Sequence, residues 1–228
     1  YCKGSRLSAS PFANGALSAS MNYICTIDQL NNINNDSSNL DGNYTLMADL
    51  DFGNTAFAST DYIGVDVNEF TGEFNGNYHR ISNLVINDVS GAQGVGLFGK
   101  TQDALIKNLI VDNAQITTTD ATSVGVVLGW STSVAGTDVI KNVIVSNSSI
   151  HSTAGTSKDS FGIIVGQSEA GPAVDKDAII ENSQSINCQI SASGQIEKVG
   201  GVIGNLNRGA NSGEALVEDS SSFGFTVG

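Results

Sequence analysis

Charged residues are scarce in this chain, and basic residues are the scarcest of them. Only 14% of the 228 residues are Asp, Glu, Lys or Arg, against about 25% in typical soluble proteins. Ten Lys and Arg stand against 23 Asp and Glu, so the formal net charge is −13. Because phosphate backbones and anionic lipid headgroups are bound by clustered Lys and Arg, the composition disfavours nucleic-acid binding and electrostatic attachment to membranes.

A long apolar run is also missing. No stretch reaches the roughly 18 apolar residues of a membrane-spanning helix, and the longest one, around residues 124–130, is interrupted by Gly. The chain begins at Tyr1 rather than Met, without a signal-like segment, so we interpret it as a processed or excised piece. Its acidic, Lys-poor composition is typical of extracellular or saline settings, and we expect an extracellular or cell-surface location.

Cysteine is too sparse for a disulfide scaffold, since the chain has only three. Cys2 and Cys25 are the candidates for one disulfide that staples the N-terminal region. Cys188 lies inside a repeated segment, and we interpret it as a small buried side chain rather than a reactive thiol.

What the sequence does contain is a repeat. Five segments align without gaps: ISNLVINDVSG (81–91), IKNLIVDNAQI (106–116), IKNVIVSNSSI (140–150), IENSQSINCQI (180–190) and VEDSSSFGFTV (217–227). The first position is aliphatic, at Ile81, Ile106, Ile140, Ile180 and Val217. The third position is Asn83, Asn108, Asn142, Asn182 and Asp219. Successive first positions are 25, 34, 40 and 37 residues apart. We predict that the two sets stack as an aliphatic and an amide column, the structural ladder of a solenoid.

A second block precedes most copies, namely VGLFG (95–99), VGVVLG (124–129), FGIIVG (161–166) and VGGVIG (199–204). These segments are short, rich in Val and Ile, and bounded by Gly and Asn, which favours strands over helices. The Ser/Thr/Gly-rich connections between them vary in length. We therefore predict an all-β fold over residues 61–228, a right-handed parallel β-helix of about five to six coils.

Residues 1–60 differ from the repeats and are predicted to cap the solenoid. Thr26 and Gln29 are spaced as a capping box at the start of a short helix near residues 26–34. A cap protects the unpaired strand edges at a solenoid end. The last copy stops at Gly228 with no cap visible, so we expect the native chain to continue or to stack end to end on another molecule.

The repeats resemble the GLUG-motif repeats of bacterial secreted and surface proteins. The resemblance rests on Val-Gly-Leu-Phe-Gly (95–99) and its relatives beside the Ile-x-Asn segments. A lead-in is similar too, at YICTIDQLNNI (23–33), GNYTLMADLDF (42–52), YIGV (62–65) and FTGEFNGNYHRISNLVI (70–86). Tyr78 stands where the family usually has Gly. The resemblance implies a right-handed β-helix within a large surface-exposed or secreted protein, such as an adhesin or the non-catalytic region of an IgA-cleaving protease. It brings no catalytic residues.

Candidate residues for catalysis or metal binding are sparse. A polysaccharide lyase would need clustered carboxylates for Ca²⁺ and a Lys or Arg base. The sequence offers Lys141 and Glu181, which we interpret as a surface ion pair. The candidate Ca²⁺ ligands are Asp49, Asp51, Asp61 and Asp66, whose spacing lacks the twelve-residue calcium loop. His79 and His151 are far apart, and no G-x-S-x-G pattern is present. We expect neither a catalytic site nor a cofactor, with Ca²⁺ as the one candidate ion.

Trp130 is the candidate contact for a glycan, because aromatic faces stack on sugars. It follows Gly129 at the start of a variable loop, so we expect its side chain to be exposed. The other candidate aromatic residues are interpreted as core and cap packing, and they are Tyr62, Phe70, Phe74 and Tyr78.

The leading hypothesis is a non-catalytic structural or adhesive module of a bacterial surface or secreted protein, whose loops bind surface proteins or glycans. One alternative is a carbohydrate-active enzyme on the same fold, either a polysaccharide lyase or a hydrolase. The other is the subunit of an extracellular filament whose copies stack end to end. An enzyme should show a groove with clustered carboxylates and a base, whereas a scaffold should show polar faces without such a cluster.

Overall fold

The chain forms a solenoid of parallel β-strands with about five turns. The computed structural model describes residues 2, 22–57, 62–154, 160–170, 176–207 and 214–228. All strand pairs in those ranges are parallel, and each pair joins one coil to the next. The β-solenoid predicted from the repeat is therefore confirmed.

Each complete coil passes through four sheets in the same order. The strands of the first sheet are Asn22–Ile24, Asn43–Leu46, Leu50–Asp51, Glu73–Asn75, Arg80–Ser82, Leu105–Asp112, Asp138–Ser146, Lys176–Glu181, Gln184–Ile186, Glu214–Glu218 and Ser221–Phe223. Those of the second are Ala56–Phe57, Val85–Asp88, Gln115–Thr119, Ser149–Ala154, Gln189–Ala192 and Thr226–Val227. Those of the third are Gly94–Val95, Ser123–Gly125, Ser160–Gly162 and Lys198–Gly200. Those of the fourth are Phe98–Gln102, Leu128–Ser133, Val165–Ala170 and Ile203–Asn207. We number the coils from their first-sheet strands, so that coils 1 to 6 begin at Asn43, Glu73, Leu105, Asp138, Lys176 and Glu214.

A short helical segment precedes coil 1. It consists of the α-helix Ile27–Asn31 and the 3₁₀-helices Asn32–Asn35 and Ser37–Asn39. The side chain of Thr26 accepts a hydrogen bond from the Gln29 N–H at 3.2 Å, as the capping spacing predicts. Leu30 and Ile33 are buried in the same core as the coils, so this segment covers the end of the solenoid. No helix in the described ranges is long and apolar enough to cross a membrane.

The solenoid begins earlier than the sequence indicated. Asn43–Leu46, Leu50–Asp51 and Ala56–Phe57 already pair with the strands of coil 2, although residues 1–60 were predicted to form the cap. These segments lack the Ile-x-Asn motif but supply the same strand positions. Among the predicted cap residues, 1, 3–21 and 58–61 lie outside the described ranges.

The cysteines occupy two different environments. Cys2 and Cys25 form a disulfide, which ties Cys2 to the residue that precedes the helix N-cap Thr26. Cys188 is free and buried in the core of coil 5. Burial raises the pKa of its thiol, so the neutral form is favoured.

An aliphatic column runs through the interior on the first sheet. Its members pair in register from coil 3 to coil 6 and are Ile106, Ile140, Ile180 and Val217. Ile106 is fully buried, while Val217 in the last coil is 38% exposed. Burying such side chains stabilises the solenoid by about 1.5–3 kcal/mol for each fully buried aliphatic residue.

Ile81 was predicted to begin this column, and that prediction is wrong. Phe74 is the register partner of Ile106, and Ile81 pairs with Val111 instead. The distance between equivalent positions in coils 2 and 3 is therefore 32 residues, from Phe74 to Ile106, and not 25. The motif itself repeats after five residues, as Ile-Lys-Asn (106–108) and then Val-Asp-Asn (111–113). Shifting the alignment of coil 2 by five residues therefore still matches the motif.

Coil 2 also contains a two-residue insertion that the sequence alignment did not include. Asn75 and Arg80 are five positions apart, while their partners Lys107 and Ile110 are three positions apart. The insertion falls at a corner, where Tyr78 adopts a left-handed backbone with φ of 61°.

The amide ladder is two columns rather than one. Asn142 Nδ2 donates to Asn108 Oδ1 at 2.9 Å, and Asn108 Nδ2 donates to Asn75 Oδ1 at 3.1 Å. In the second column, Asn113 Nδ2 donates to Asn83 Oδ1 at 2.7 Å. Asn83 therefore belongs to a different column from Asn108, which corrects the predicted set.

Asn and Asp are favoured at these corners because the backbone is left-handed. The φ angle is 53° at Asn108, 54° at Asn142, 48° at Asn182 and 47° at Asp219. Asn and Asp adopt this region more readily than other residues that carry a Cβ atom. The amides of Asn142 and Asn108 also bond across the coils, so one residue type meets both needs there.

The glycines of the second repeated block allow the third and fourth sheets to touch. A Cβ atom on Gly125 would lie 2.2 Å from Leu128 O, and one on Gly129 would lie 2.3 Å from Val95 N. Both neighbours are backbone atoms, which cannot rotate away. Only Gly fits at these positions, and the block repeats because the contact repeats in every coil.

We predict that Gly129→Ala lowers the free energy of unfolding by about 3 kcal/mol or more, because the methyl group overlaps the backbone of the preceding coil. Urea unfolding followed by circular dichroism measures this. Gly136→Ala is the matched control, since its nearest contacts are side-chain atoms of Asp103. An equal loss of stability in both variants would contradict the packing argument.

Candidate functional site

Charged side chains line the outward side of the first sheet and pair between coils. Lys107 Nζ lies 2.8 Å from Glu73 Oε1, and Lys141 Nζ lies 2.6 Å from Glu181 Oε2. Lys107 and Lys141 are themselves register partners, as are Glu181 and Glu218. These partly exposed pairs contribute about 0–1 kcal/mol each. Lys141 and Glu181 thus form the ion pair that the sequence predicted.

The candidate Ca²⁺ ligands Asp49 and Asp51 contact nitrogen donors. Asp49 Oδ1 accepts a hydrogen bond from the Arg80 N–H at 3.0 Å and lies 2.9 Å from His79 Nδ1. These two contacts lower the pKa of Asp49. Asp51 Oδ1 accepts from Asn83 Nδ2 at 2.7 Å, which lowers the pKa of Asp51. Both carboxylates are therefore joined to coil 2 rather than to each other.

Asp66, a further candidate ligand, contacts a lysine. Asp66 Oδ1 lies 3.1 Å from Lys100 Nζ, and Asp61 lies outside the described residues. Across the part of the chain that the structure describes, no group of three or more His, Cys, Asp or Glu is placed to hold a metal ion.

The two histidines occupy different sheets. His79 lies at the corner before Arg80–Ser82 of the first sheet, whereas His151 is in the strand Ser149–Ala154 of the second. His151 Nδ1 lies 2.9 Å from Ser191 Oγ on the next coil. The fold does not bring the two imidazoles together.

Trp130 lies inside a strand, so the prediction that it opens an exposed loop is wrong. Its register partners are Lys100 and Gln167, and Lys100 Nζ lies 5.1 Å from the centre of the indole ring, a cation–π contact. The indole Nε1 is buried and has no hydrogen-bond partner among the described residues. The strand continues through Gly129 because that glycine serves sheet packing and not a turn.

Most of the other candidate aromatic residues lie in the core. Phe98 packs against Phe70 and Phe74 with ring centres 5.3 Å and 5.2 Å apart. Tyr62 is also buried, whereas Tyr78 at the inserted corner is 65% exposed. Three of the four side chains therefore pack as interpreted from the sequence.

A buried carboxylate that the sequence reasoning missed lies in the interior. Asp138 is 0% exposed. Its Oδ2 accepts hydrogen bonds from Thr101 Oγ1 at 2.9 Å and from Ser131 Oγ. Its Oδ1 accepts from the Ala104 N–H. Burial raises the pKa of Asp138 to about 7 although these donors lower it, and nearby Asp103 adds to the rise.

The alternation of the strand marks Asp138 as an inward residue. Asp138 lies two positions before Ile140 and therefore points to the same side of the strand. The corresponding residues in the neighbouring coils are Ala104 and Ala178, and Asp138 and Ala178 are register partners. The sequence could have revealed this buried carboxylate, because Asp138 occupies a position that is alanine in the neighbouring coils.

Buried hydroxyl groups differ in whether they have a partner. Thr101 donates to the enclosed Asp138 carboxylate. Thr118 on the second sheet is equally buried, but its Oγ1 has no partner among the described residues.

The arrangement around Asp138 can bind and release a proton, and its burial separates it from solvent and from any large substrate.

Comparison with known proteins gives one partial relative. An alignment 118 positions long, which covers 47% of this chain, shows 37% identity to Halomucin from Haloquadratum walsbyi and covers 1% of that protein. The chain thus spans a very small part of the relative it matches. No protein family matches the chain, and no solved structure matches it.

The two buried threonines should respond oppositely to the same change. We predict that Thr101→Val lowers the free energy of unfolding by about 1–3 kcal/mol, because a buried carboxyl loses a donor. Thr118→Val should raise it by about 1 kcal/mol, because a buried hydroxyl without a partner is replaced by a methyl group of similar shape. Urea unfolding measures both. A loss of similar size in the two variants would contradict the assignment of Thr118.

Asp138 should make stability depend on pH between about 4 and 7. Its pKa in the folded chain, about 7, is above the ordinary value of 3.8, so the folded state binds the proton more tightly. The contribution of Asp138 to the free energy of unfolding is therefore fully present at low pH. It is lost as the pH rises through that window. The slope reaches at most about 1.4 kcal/mol per pH unit.

Asp138→Asn isolates this contribution, because the amide keeps the shape but does not titrate. We expect the difference in unfolding free energy between the parent chain and Asp138→Asn to change across this pH window. Chemical unfolding at a series of pH values measures it. Parallel profiles for the two chains would show that Asp138 does not titrate there.

Proposed function

We propose that this chain is a non-catalytic structural module of an extracellular surface or secreted protein, and that its loops and polar faces contact other surface proteins or glycans. The observation that carries the proposal is the coil-on-coil pairing of the first sheet, which continues from coil 1 to coil 6. At about 4.8 Å for each step, the coils form a rod roughly 25 Å long. Such a rod holds attached segments at a fixed separation.

The setting of the module is supported by three independent features. The partial similarity to Halomucin supports a large surface or secreted protein. The resemblance to GLUG-motif repeats implies the same setting, including adhesins. The net charge of −13 and the small number of Lys and Arg residues fit an extracellular location better than nucleic-acid binding.

The distribution of charge favours a scaffold over a carbohydrate-active enzyme. A lyase or hydrolase needs carboxylates and a base that face the substrate. Here Lys107 and Lys141 are each paired with a Glu of an adjacent coil, and Asp138 is enclosed. These groups are occupied in holding coils together, which supports the non-catalytic assignment.

Antibodies against the folded chain test the location. We expect them to label intact cells of the source organism, or the medium around them, because the module is proposed to lie outside the cell. Labelling that appears only after the cells are lysed would contradict the proposal.

A second experiment tests for catalysis with a panel of neutral and acidic polysaccharides. We expect the chain to release no more reducing ends or unsaturated sugars than its Lys141→Ala/Glu181→Ala variant, because that pair is structural. Turnover by the parent chain above the level of the variant would favour the enzyme alternative.

A further inference from the structure

The outward side of the second sheet is a regular array of uncharged polar side chains. We call it the polar face and define it by the outward residues of coils 3 to 5, which are Gln115, Thr117, Thr119, Ser149, His151, Thr153, Gln189, Ser191 and Ser193. Alternation places them outward, because the residues between them include the buried Ile116, Ile150 and Ile190.

These side chains stand in columns along the solenoid axis. Gln115, Ser149 and Gln189 are register partners on successive coils. Side-chain contacts already join neighbouring coils, with His151 Nδ1 2.9 Å from its register partner Ser191 Oγ and Thr119 Oγ1 2.6 Å from Thr153 Oγ1 beside a register shift. The array is therefore held in place before any ligand arrives, which lowers the entropic cost of binding.

The polar face contrasts in its charge with the outward column of the first sheet. Over its nine positions, His151 is the only side chain that can ionise. The outward column of the first sheet, by comparison, contains Lys107, Lys141, Glu181 and Glu218. In a chain with a net charge of −13, a face of this size without Asp, Glu, Lys or Arg points to an uncharged partner, because contact surfaces exclude charges that would lose their hydration.

The size and periodicity of the polar face favour a polymer over a folded protein. Coils are about 4.8 Å apart and residues about 3.3 Å apart along a strand, so the second sheet presents roughly 300 Å² even when coils 2 to 6 are included. Stable protein interfaces bury about 800 Å² on each partner. A linear polymer of identical units, by contrast, offers the same groups to each coil in turn and extends the contact along the axis.

We propose that the polar face binds an extended, neutral polysaccharide that runs along the solenoid axis. Hydroxyl and amide side chains both donate and accept hydrogen bonds, as sugar hydroxyl groups do, so each coil can exchange bonds with the polymer without burying a charge. The proposal rests on the proposed function and deepens it, since it names the class of glycan and the surface that meets it.

The test measures depletion of the folded chain from solution by cellulose, chitin and cross-linked dextran, with alginate gel as an acidic comparison. We expect at least one of the neutral polymers to bind the chain and alginate to bind it more weakly. Gln115→Glu should then lower the bound fraction by about tenfold or more, because it places an unpaired charge inside the contact.

Gln184→Glu is the matched control. Gln184 is also an exposed glutamine in a strand, but its strand belongs to the first sheet, and its replacement changes the net charge by the same amount. It should bind as the parent chain does. Circular dichroism of both variants confirms that their folding is unchanged.

Three results would overturn the proposal. The first is that none of the neutral polymers binds the chain, a result that leaves the structural role and its labelling test untouched. The second is that both Glu variants lose binding equally, which would indicate a general charge effect. The third is that light scattering finds a dimer that Gln115→Glu dissociates, which would make a second copy of this chain the occupant of the face.

Discussion

Parallel backbone pairing between coils is the constraint on which the rest of this structure depends. Because each strand hydrogen-bonds to the strand one coil away, equivalent residues lie about 4.8 Å apart and stack in columns. A residue type can occupy a column only if it packs well against itself. Aliphatic residues such as Ile106 and Ile140 do so in the interior, and Asn108 and Asn142 do so at left-handed corners, where their amides bond to each other. Glycine does so where two sheets meet backbone to backbone.

Charged side chains are the ones least suited to stacking on copies of themselves in a column. This accounts for the low charged fraction of 14%. Lys107 and Lys141 are neighbours of like charge, and each is paired with a glutamate of another coil. In the interior, the only way to hold Asp138 is to surround it with donors. The remaining surface is left to Ser, Thr, Asn and Gln, whose columns can bond within themselves. The polar face is thus a product of the same constraint that builds the core.

The column rule also connects the proposed function to the fold. A solenoid presents one surface composition along its whole axis, so any ligand that matches one coil matches the next. Such a surface suits contact with polymers and neighbouring surface molecules, whereas a catalytic centre requires a local departure from the repeat. Two departures in the described part of the chain are the inserted corner at Tyr78, where that side chain is exposed, and Asp138, which is enclosed away from solvent.

The sequence by itself determined the fold class, the interior position of Ile106, Ile140 and Ile180, and the ion pair of Lys141 with Glu181, because these depend only on a pattern that recurs from coil to coil. It did not determine register in coil 2. The five-residue echo of the motif let Ile81 match two columns equally well, and only hydrogen bonding between coils, together with a corner insertion, distinguishes them. It also did not determine the surroundings of Trp130 and Asp138. Those depend on which side chains the neighbouring coils supply, and that information exists only once the coils are stacked.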